Sequence, residues 1–266
     1  MADSADTSNA LQIRHGQSED NLRDVWAGWK DAPLSELGMK QADALGQSFR
    51  DDDTGFDFLY ASDLLRAHST GLAVLDAHRE PKPAFAVSEK LREQYFGIAE
   101  GNRWLVRIPS DQTREQLYEQ KLFPVFRSRH EKFPEGESLD DLAERADEAV
   151  KLFILPHIKK GTNVRVAIAS HGLCISELVA ALLRLDSDSK RDVSYAGLLN
   201  TAWTRAVDTS FTGPIDSSNP PPLNVKITHV NNSEHYNLLQ GTNTNPVPVG
   251  EESSGARAFF GGKTEI

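Results

Sequence analysis

Val164 to Ala169 is an apolar, β-branched run broken only by Arg165, and the chain passes from it through Ser170-His171-Gly172 into a helical pattern over Leu173 to Leu185. A strand handed directly to a helix is the unit of a layered α/β domain, and the rest of the chain repeats the alternation. Ala10 to Ile13 is a short first strand whose Gln12 leaves its place in the sheet order open. Leu37, Ala42, Leu45 and Phe49 fall near helical spacing behind Ser35 as cap, and Phe58 to Ala61 follows as a strand. Ser62 is expected to cap a second helix with a buried stripe of Leu65, His68, Leu72 and Leu75. A strand at Ala84 to Val87, a helix near Thr113 to Lys121 and a longer one from Leu139 to His157 precede the strongest strand. The expected architecture is a three-layer α/β/α sandwich with a mostly parallel sheet.

After Ser187, Leu198 to Val207 and Leu223 to Val230 read as an antiparallel pair joined by a Ser/Pro/Gly-rich loop. Residues 1–9 and 241–266 are expected to be flexible ends around a domain of residues 10–240, because the Asn/Pro/Gly/Ser-rich tail has little apart from Phe259-Phe260 that could form a core. Asp51-Asp52-Asp53 reads as a solvated turn rather than a metal site.

The formal charge of −10 disfavours a main role in coating nucleic acid or anionic lipid. No run of 18 apolar residues is present to span a membrane. The single cysteine, Cys174, excludes an intramolecular disulfide framework and suits a reducing compartment, read as the cytoplasm with the nucleus as the alternative.

Two junctions share one pattern: Ile13-Arg14-His15-Gly16 and Ala169-Ser170-His171-Gly172 each place a histidine where a strand ends. Ligands of parallel α/β sheets bind there, where helix N-termini present N–H groups to anions. One such histidine alone is as well read as a turn residue or a satisfied buried imidazole, and two together favour a site. Arg66 sits in the first turn of its helix, where the dipole opposes a cation by about 0.3–1 kcal/mol. An anionic ligand would compensate it; an exposed position or a pair with Asp63 is the plain alternative.

Arg14-His15-Gly16 with Asn21 resembles the opening of the histidine phosphatase superfamily, the phosphoglycerate mutase-like fold. The family's other pieces follow in order: Asp31 to Ser35 with Gly38, Ala61 to Ala67, Leu91-Arg92-Glu93 with Glu100-Gly101, Gly136-Glu137-Ser138 and Ser170-His171-Gly172. Asn200 on a strand and Asn231 to His235 are similar to its closing elements.

The resemblance implies a metal-independent, cofactor-free phosphomonoester hydrolase. His15 would be the nucleophile that becomes phosphohistidine, Arg14 and Arg66 the cations on the phosphoryl oxygens, and His171 a further donor. The backbone near Gly16 and Gly172 would add donors, Asn21 would touch phosphate or substrate, and Glu93, held protonated by its surroundings, would be the acid/base. Mutases of the family usually continue from that Glu with Arg-His-Tyr-Gly, whereas here the run is Glu93-Gln94-Tyr95-Phe96-Gly97, as in the phosphatase branch. Arg127 and Arg129 could imitate mutase cations or form a helix surface. The alternatives are therefore a phosphoglycerate mutase-type phosphotransferase and an idle protein-binding member. The expected substrate is a small phosphorylated molecule, with a phosphoprotein as the other option. Arg23 to Lys30 and Gly101 to Pro134 are the segments expected to choose it.

Overall fold

The computed structural model describes residues 8–23, 25–106, 108–158, 164–190, 195–208, 216, 219–220 and 222–241. In chain order its elements are β1 (Asn9–Arg14), α1 (Glu36–Asp51), β2 (Phe58–Ser62), α2 (Leu65–Ala77), β3 (Ala84–Ser88), β4 (Arg103–Leu105), α3 (Arg114–Glu119) and β5 (Leu122–Pro124). They continue with α4 (Leu139–Phe153), β6 (Arg165–Ser170), α5 (Gly172–Arg184), β7 (Trp203–Asp208), β8 (Val225–Asn232) and a 3-10 segment, Glu234–Gly241. Six strands form one sheet in the order β3-β2-β6-β1-β7-β8. Its first four strands are parallel, and β7 and β8 pair antiparallel.

Strand alternation divides the core between two helical layers. Leu11, Ile13 and Ala167 join Leu45, Phe49 and Val74 of α1 and α2, whereas Ala10, Val166 and Ile168 join Leu142 and Leu178 of α4 and α5. The three-layer α/β/α arrangement is thus the one expected. β1 lies inside the sheet between β6 and β7, with Gln12 fully buried opposite Ile168 and Thr204.

α2 corrects two expectations. Its cap position is Leu64, and Ser62 ends β2. Its buried face is Arg66, Ala67, Thr70, Gly71 and Val74, while Leu65 is exposed. Small residues bring the helix close to the sheet: a Cβ on Gly71 would lie 3.1 Å from that of Ala61. Gly46 does the same for the two helices, since its Cβ would meet the Ala73 carbonyl oxygen at 2.7 Å. The expected strand from Leu198 begins only at Trp203, and Asn200 and Thr201 lie in the turn before it.

The chain reaches the sheet at Asn9, and residues 1–7 and 242–266, which hold most of both expected flexible ends, fall outside the described residues. Asp51 to Asp53 form the solvated end of α1 and its turn, with Asp53 paired to Arg79. A second, two-stranded parallel sheet of β4 and β5 was not anticipated. Trp26 ties it down by donating its indole N–H to the Phe123 carbonyl at 3.1 Å.

Candidate active site

Parallel pairing of β1 with β6 sets Arg14 opposite Ser170, so His15 and His171 leave the sheet side by side, their ring centroids 5.1 Å apart. β2 ends beside them, and the Ser62 hydroxyl lies 2.9 Å from His171 Nε2. Ser170 Oγ donates to the Leu91 carbonyl at 2.7 Å, drawing the segment that carries Glu93 across the end of β6.

His15 Nδ1 is 2.7 Å from the Gly16 carbonyl oxygen. A carbonyl only accepts, so Nδ1 holds the proton and Nε2 keeps its lone pair. Burial, reinforced by the Arg66 and Arg14 guanidiniums, pushes the His15 pKa well below the ordinary histidine value. The ring is therefore neutral and nucleophilic near pH 7. His171 is held neutral by the same causes, burial first and Arg66 next. Its Nδ1 is buried without a hydrogen-bond partner.

Arg66 is 1% exposed and faces carbonyls rather than a carboxylate: Nη2 donates to Gly28 at 2.7 Å and Nη1 to Lys30 at 3.0 Å. Its Nε has no partner. Asp63, the pairing alternative for Arg66, instead binds Arg92 at 2.6 Å. The carbonyl loop is clamped by Glu100, whose Oε1 accepts from Trp29 N at 2.6 Å and Phe96 N at 3.2 Å. Burial raises the Glu100 pKa. Gly28 is required there at φ +50, because a Cβ would lie 2.0 Å from that oxygen. A desolvated cation lacking a carboxylate is costly by itself and suits an incoming anion.

Arg14 donates Nη1 to the Leu198 carbonyl. A Cβ on Gly172 would meet only Arg14 Nε and Glu93 Oε2, both at 3.9 Å, so the space between those two groups is open. Glu93 is half-buried, and its carboxylate accepts from Gln94 N at 2.9 Å, Cys174 N at 3.1 Å and Leu173 N at 3.2 Å. Two of these three donors, Leu173 N and Cys174 N, come from the first turn of α5.

The Gly16 amide donates to Thr70 Oγ1 at 3.0 Å, so this N–H is engaged within the protein. What Gly16 supplies is closeness, since its Cβ would lie 2.5 Å from the Gly38 carbonyl oxygen. Asn21 accepts from Ser18 N at 3.0 Å and from Asn200 Nδ2 at 3.3 Å. Asn200 Nδ2 also donates to the His15 carbonyl at 3.1 Å, as does Thr201 N at 3.2 Å. Thr201 Oγ1 in turn lies 2.8 Å from His235 Nε2.

Sequence reading missed Thr70, Thr201 and the carbonyl loop at residues 28–30. Thr70, four residues after Arg66 on one helical face, was the nearest available signal. Cys174 is fully buried, its thiol pushed up to about 11, and acts as packing. Arg129 lies in a turn, not on a helix, and binds Asp140 at 3.1 Å and Glu177 at 2.9 Å. Among the described residues no three His, Cys, Asp or Glu side chains are gathered as a metal site.

Two histidines and two arginines are thus gathered at the ends of β1, β2 and β6. The profile of the histidine phosphatase superfamily, branch 1, matches residues 11–210, and the chain belongs to that superfamily. It is 36% identical over 183 residues to a phosphoglycerate mutase of Schizosaccharomyces pombe, covering 68% of this chain and 83% of that protein. It is 35% identical over 176 residues to a 2,3-bisphosphoglycerate-dependent phosphoglycerate mutase of Parvibaculum lavamentivorans, covering 66% and 80%. The fold is similar to that of a mycobacterial hydrolase at TM-score 0.65 and 24% identity, covering 85% of this chain and 99% of the other. It is also similar to a mycobacterial glucosyl-3-phosphoglycerate phosphatase complexed with VO3, at 0.62 and 22%, covering 84% and 99%. These relationships make the chain an enzyme of the phosphoryl-transfer class. No helix among the described residues is long and apolar enough to cross a membrane.

Proposed function

We propose that the chain is a metal-independent phosphomonoester hydrolase working through phosphohistidine at His15. The observation that carries this reading is that His15, its Nε2 lone pair left by the Nδ1 contact to Gly16, lies with its ring centroid 5.1 Å from that of His171, while the buried His171 Nδ1 and Arg66 Nε lack protein partners. A phosphoryl group between them would receive a charged hydrogen bond from Arg66 and one from His171 Nδ1–H, with His171 Nε2 accepting from Ser62. Arg14 and the open space at Gly172 complete the cradle, and Asn21 is linked to it through Asn200, which also donates to the His15 carbonyl. His15 Nε2 attacks phosphorus in line with the leaving oxygen. Glu93 passes a proton to that oxygen, supplied by the phosphomonoester monoanion, whose second pKa is about 6. In the second step Glu93 takes a proton from the attacking water. Side-chain cations do what a metal does in other phosphatases. The lone buried thiol fits our assignment to the cytoplasm.

The mutase names of the relatives favour a second reading, transfer between two positions of a phosphoglycerate through a bisphosphate. Against it stands Arg129, whose charge already faces two carboxylates. Incubation with 3-phosphoglycerate, with and without 2,3-bisphosphoglycerate, alongside a panel of sugar phosphates, separates the readings. Phosphate release across the panel without isomerisation supports the hydrolase; isomerisation faster than release replaces it with the mutase. No turnover of any panel member by a folded enzyme leaves the binding-protein alternative.

A further inference from the structure

Gly136-Glu137-Ser138 is one of the segments similar to the family's, yet its hydrogen bonds reach neither His15 nor His171. Its surroundings explain it. Ser138 caps α4, its hydroxyl accepting from Asp141 N at 3.1 Å. Glu137 faces the segment that carries Glu93: its amide donates to the Tyr95 carbonyl at 2.7 Å, its Oε2 accepts from Tyr95 N at 3.0 Å and its carbonyl accepts from Gln94 Nε2 at 2.7 Å. Gly136 allows the approach, as its Cβ would lie 2.8 Å from the Tyr95 carbonyl oxygen.

Arg145, from the second turn of α4, completes the arrangement. It grips Glu137 with Nε at 3.0 Å and Nη2 at 2.7 Å, the two-point match of a planar fork to a carboxylate. The remaining donors reach backbone: Nη1 donates to Lys90 at 3.1 Å and Arg92 at 2.7 Å, and Nη2 to Glu93 at 2.9 Å. The Glu93 carbonyl also accepts the Trp29 indole N–H at 2.8 Å. Glu93 is thus fixed at both ends, its carboxylate by amides at the start of α5 and its backbone by Arg145 and Trp29.

We propose that Arg145, oriented by Glu137, is the positioning residue for Glu93 and sets the alignment in which that carboxyl serves the leaving oxygen. The inference rests on the reading of Glu93 as acid/base. Lysine retains the charge of Arg145 but has neither the fork nor enough fixed donors for three carbonyls and a carboxylate, so Arg145→Lys isolates the geometric part of its role. A misplaced acid penalises reactions in proportion to their need for a proton. Alkyl phosphates expel a basic alkoxide, whereas nitrophenyl phosphate expels a stabilised anion.

The test is the single-turnover rate of His15 phosphorylation by glycerol phosphate and by nitrophenyl phosphate in wild type, Arg145→Lys, Glu137→Gln and Glu93→Gln. In Arg145→Lys the alkyl-to-nitrophenyl rate ratio is expected to fall by about tenfold, and in Glu137→Gln by several-fold. Equal slowing of both substrates, leaving the ratio at its wild-type value, overturns the proposal. Should Arg145→Lys fail to fold, Glu137→Gln decides it by the same ratio. Glu93→Gln separates the two levels: a wild-type ratio there removes Glu93 as the acid and the proposal with it. A ratio that falls only in Glu93→Gln leaves the acid in place and removes Arg145 from the positioning role.

Discussion

Thr70 Oγ1 accepts the Gly16 N–H at 3.0 Å and donates to the Arg66 carbonyl at 2.8 Å. One buried hydroxyl therefore joins the loop that presents His15 to the helical turn that presents Arg66. Thr70→Val preserves shape and removes both bonds, leaving a buried N–H unsatisfied. We expect a loss of about 1–3 kcal/mol in urea unfolding and a fall in kcat larger than that in Thr70→Ser. Equal kcat values for the two variants would show that this link does not hold the nucleophile.

Arg66 opposes stability and activity to one another. Its hydrogen bonds go to carbonyls, burial outweighs the longer-range pull of Glu93, Asp31, Asp20 and Glu100, and its Nε has no partner, so its charge is incompletely compensated in the unliganded fold. Arg66→Met is expected to lower kcat by about a hundredfold or more while leaving the melting temperature equal or raised. Inorganic phosphate should raise the melting temperature of wild type and not of the variant. A stabilising shift of equal size in both would place the anion elsewhere.

The site's glycines divide into two kinds. A Cβ on Gly38 would lie 1.9 Å from the Gln17 carbonyl oxygen, so Gly38→Ala should destabilise the fold by about 1–3 kcal/mol in denaturant. Gly172→Ala meets only polar atoms at 3.9 Å, and should fold like wild type yet bind inorganic phosphate at least tenfold more weakly by calorimetry. Unchanged phosphate affinity in Gly172→Ala would mean that the space beside Arg14 is not where the anion sits.

Buried neutral histidines make stability depend on acid. Burial holds the His235 pKa at about 4, below the ordinary value of 6.5. The folded state then binds fewer protons than the unfolded one, so stability rises with pH across that interval. Its contribution is complete above about pH 6.5 and is lost as pH falls toward 4, with a slope of up to about 1.4 kcal/mol per pH unit. His235→Asn should flatten the acid limb of a urea midpoint-versus-pH curve between those values. An unaltered limb would assign the dependence to His15 and His171.

His15 and His171 were legible because each stands between a strand and a glycine, a local pattern that needs no knowledge of neighbours. The sheet layers were legible for a similar reason, in the apolar run at Val164 to Ala169. α2 was misread because its buried face is made of Ala67, Thr70 and Gly71, which contribute little hydrophobicity and much proximity. The partners of Arg145 and Arg66 were out of reach, since both bind backbone carbonyls, and a carbonyl carries no sequence signature. Two of the three donors around Glu93 belong to α5, far away in the chain, so its local sequence could not announce them.

β1 lies between β6 and β7, both of which follow it by more than a hundred residues. During synthesis from the N-terminus its Leu11 and Ile13 wait with neither edge paired until most of the domain has left the ribosome. At roughly 5–20 residues per second that interval lasts on the order of ten seconds or more, long enough for an uncovered strand to find another chain. The register that later brings two histidines together thus leaves the edges of β1 open to other chains until β6 is made. His15 meets His171 only when β6 has joined β1.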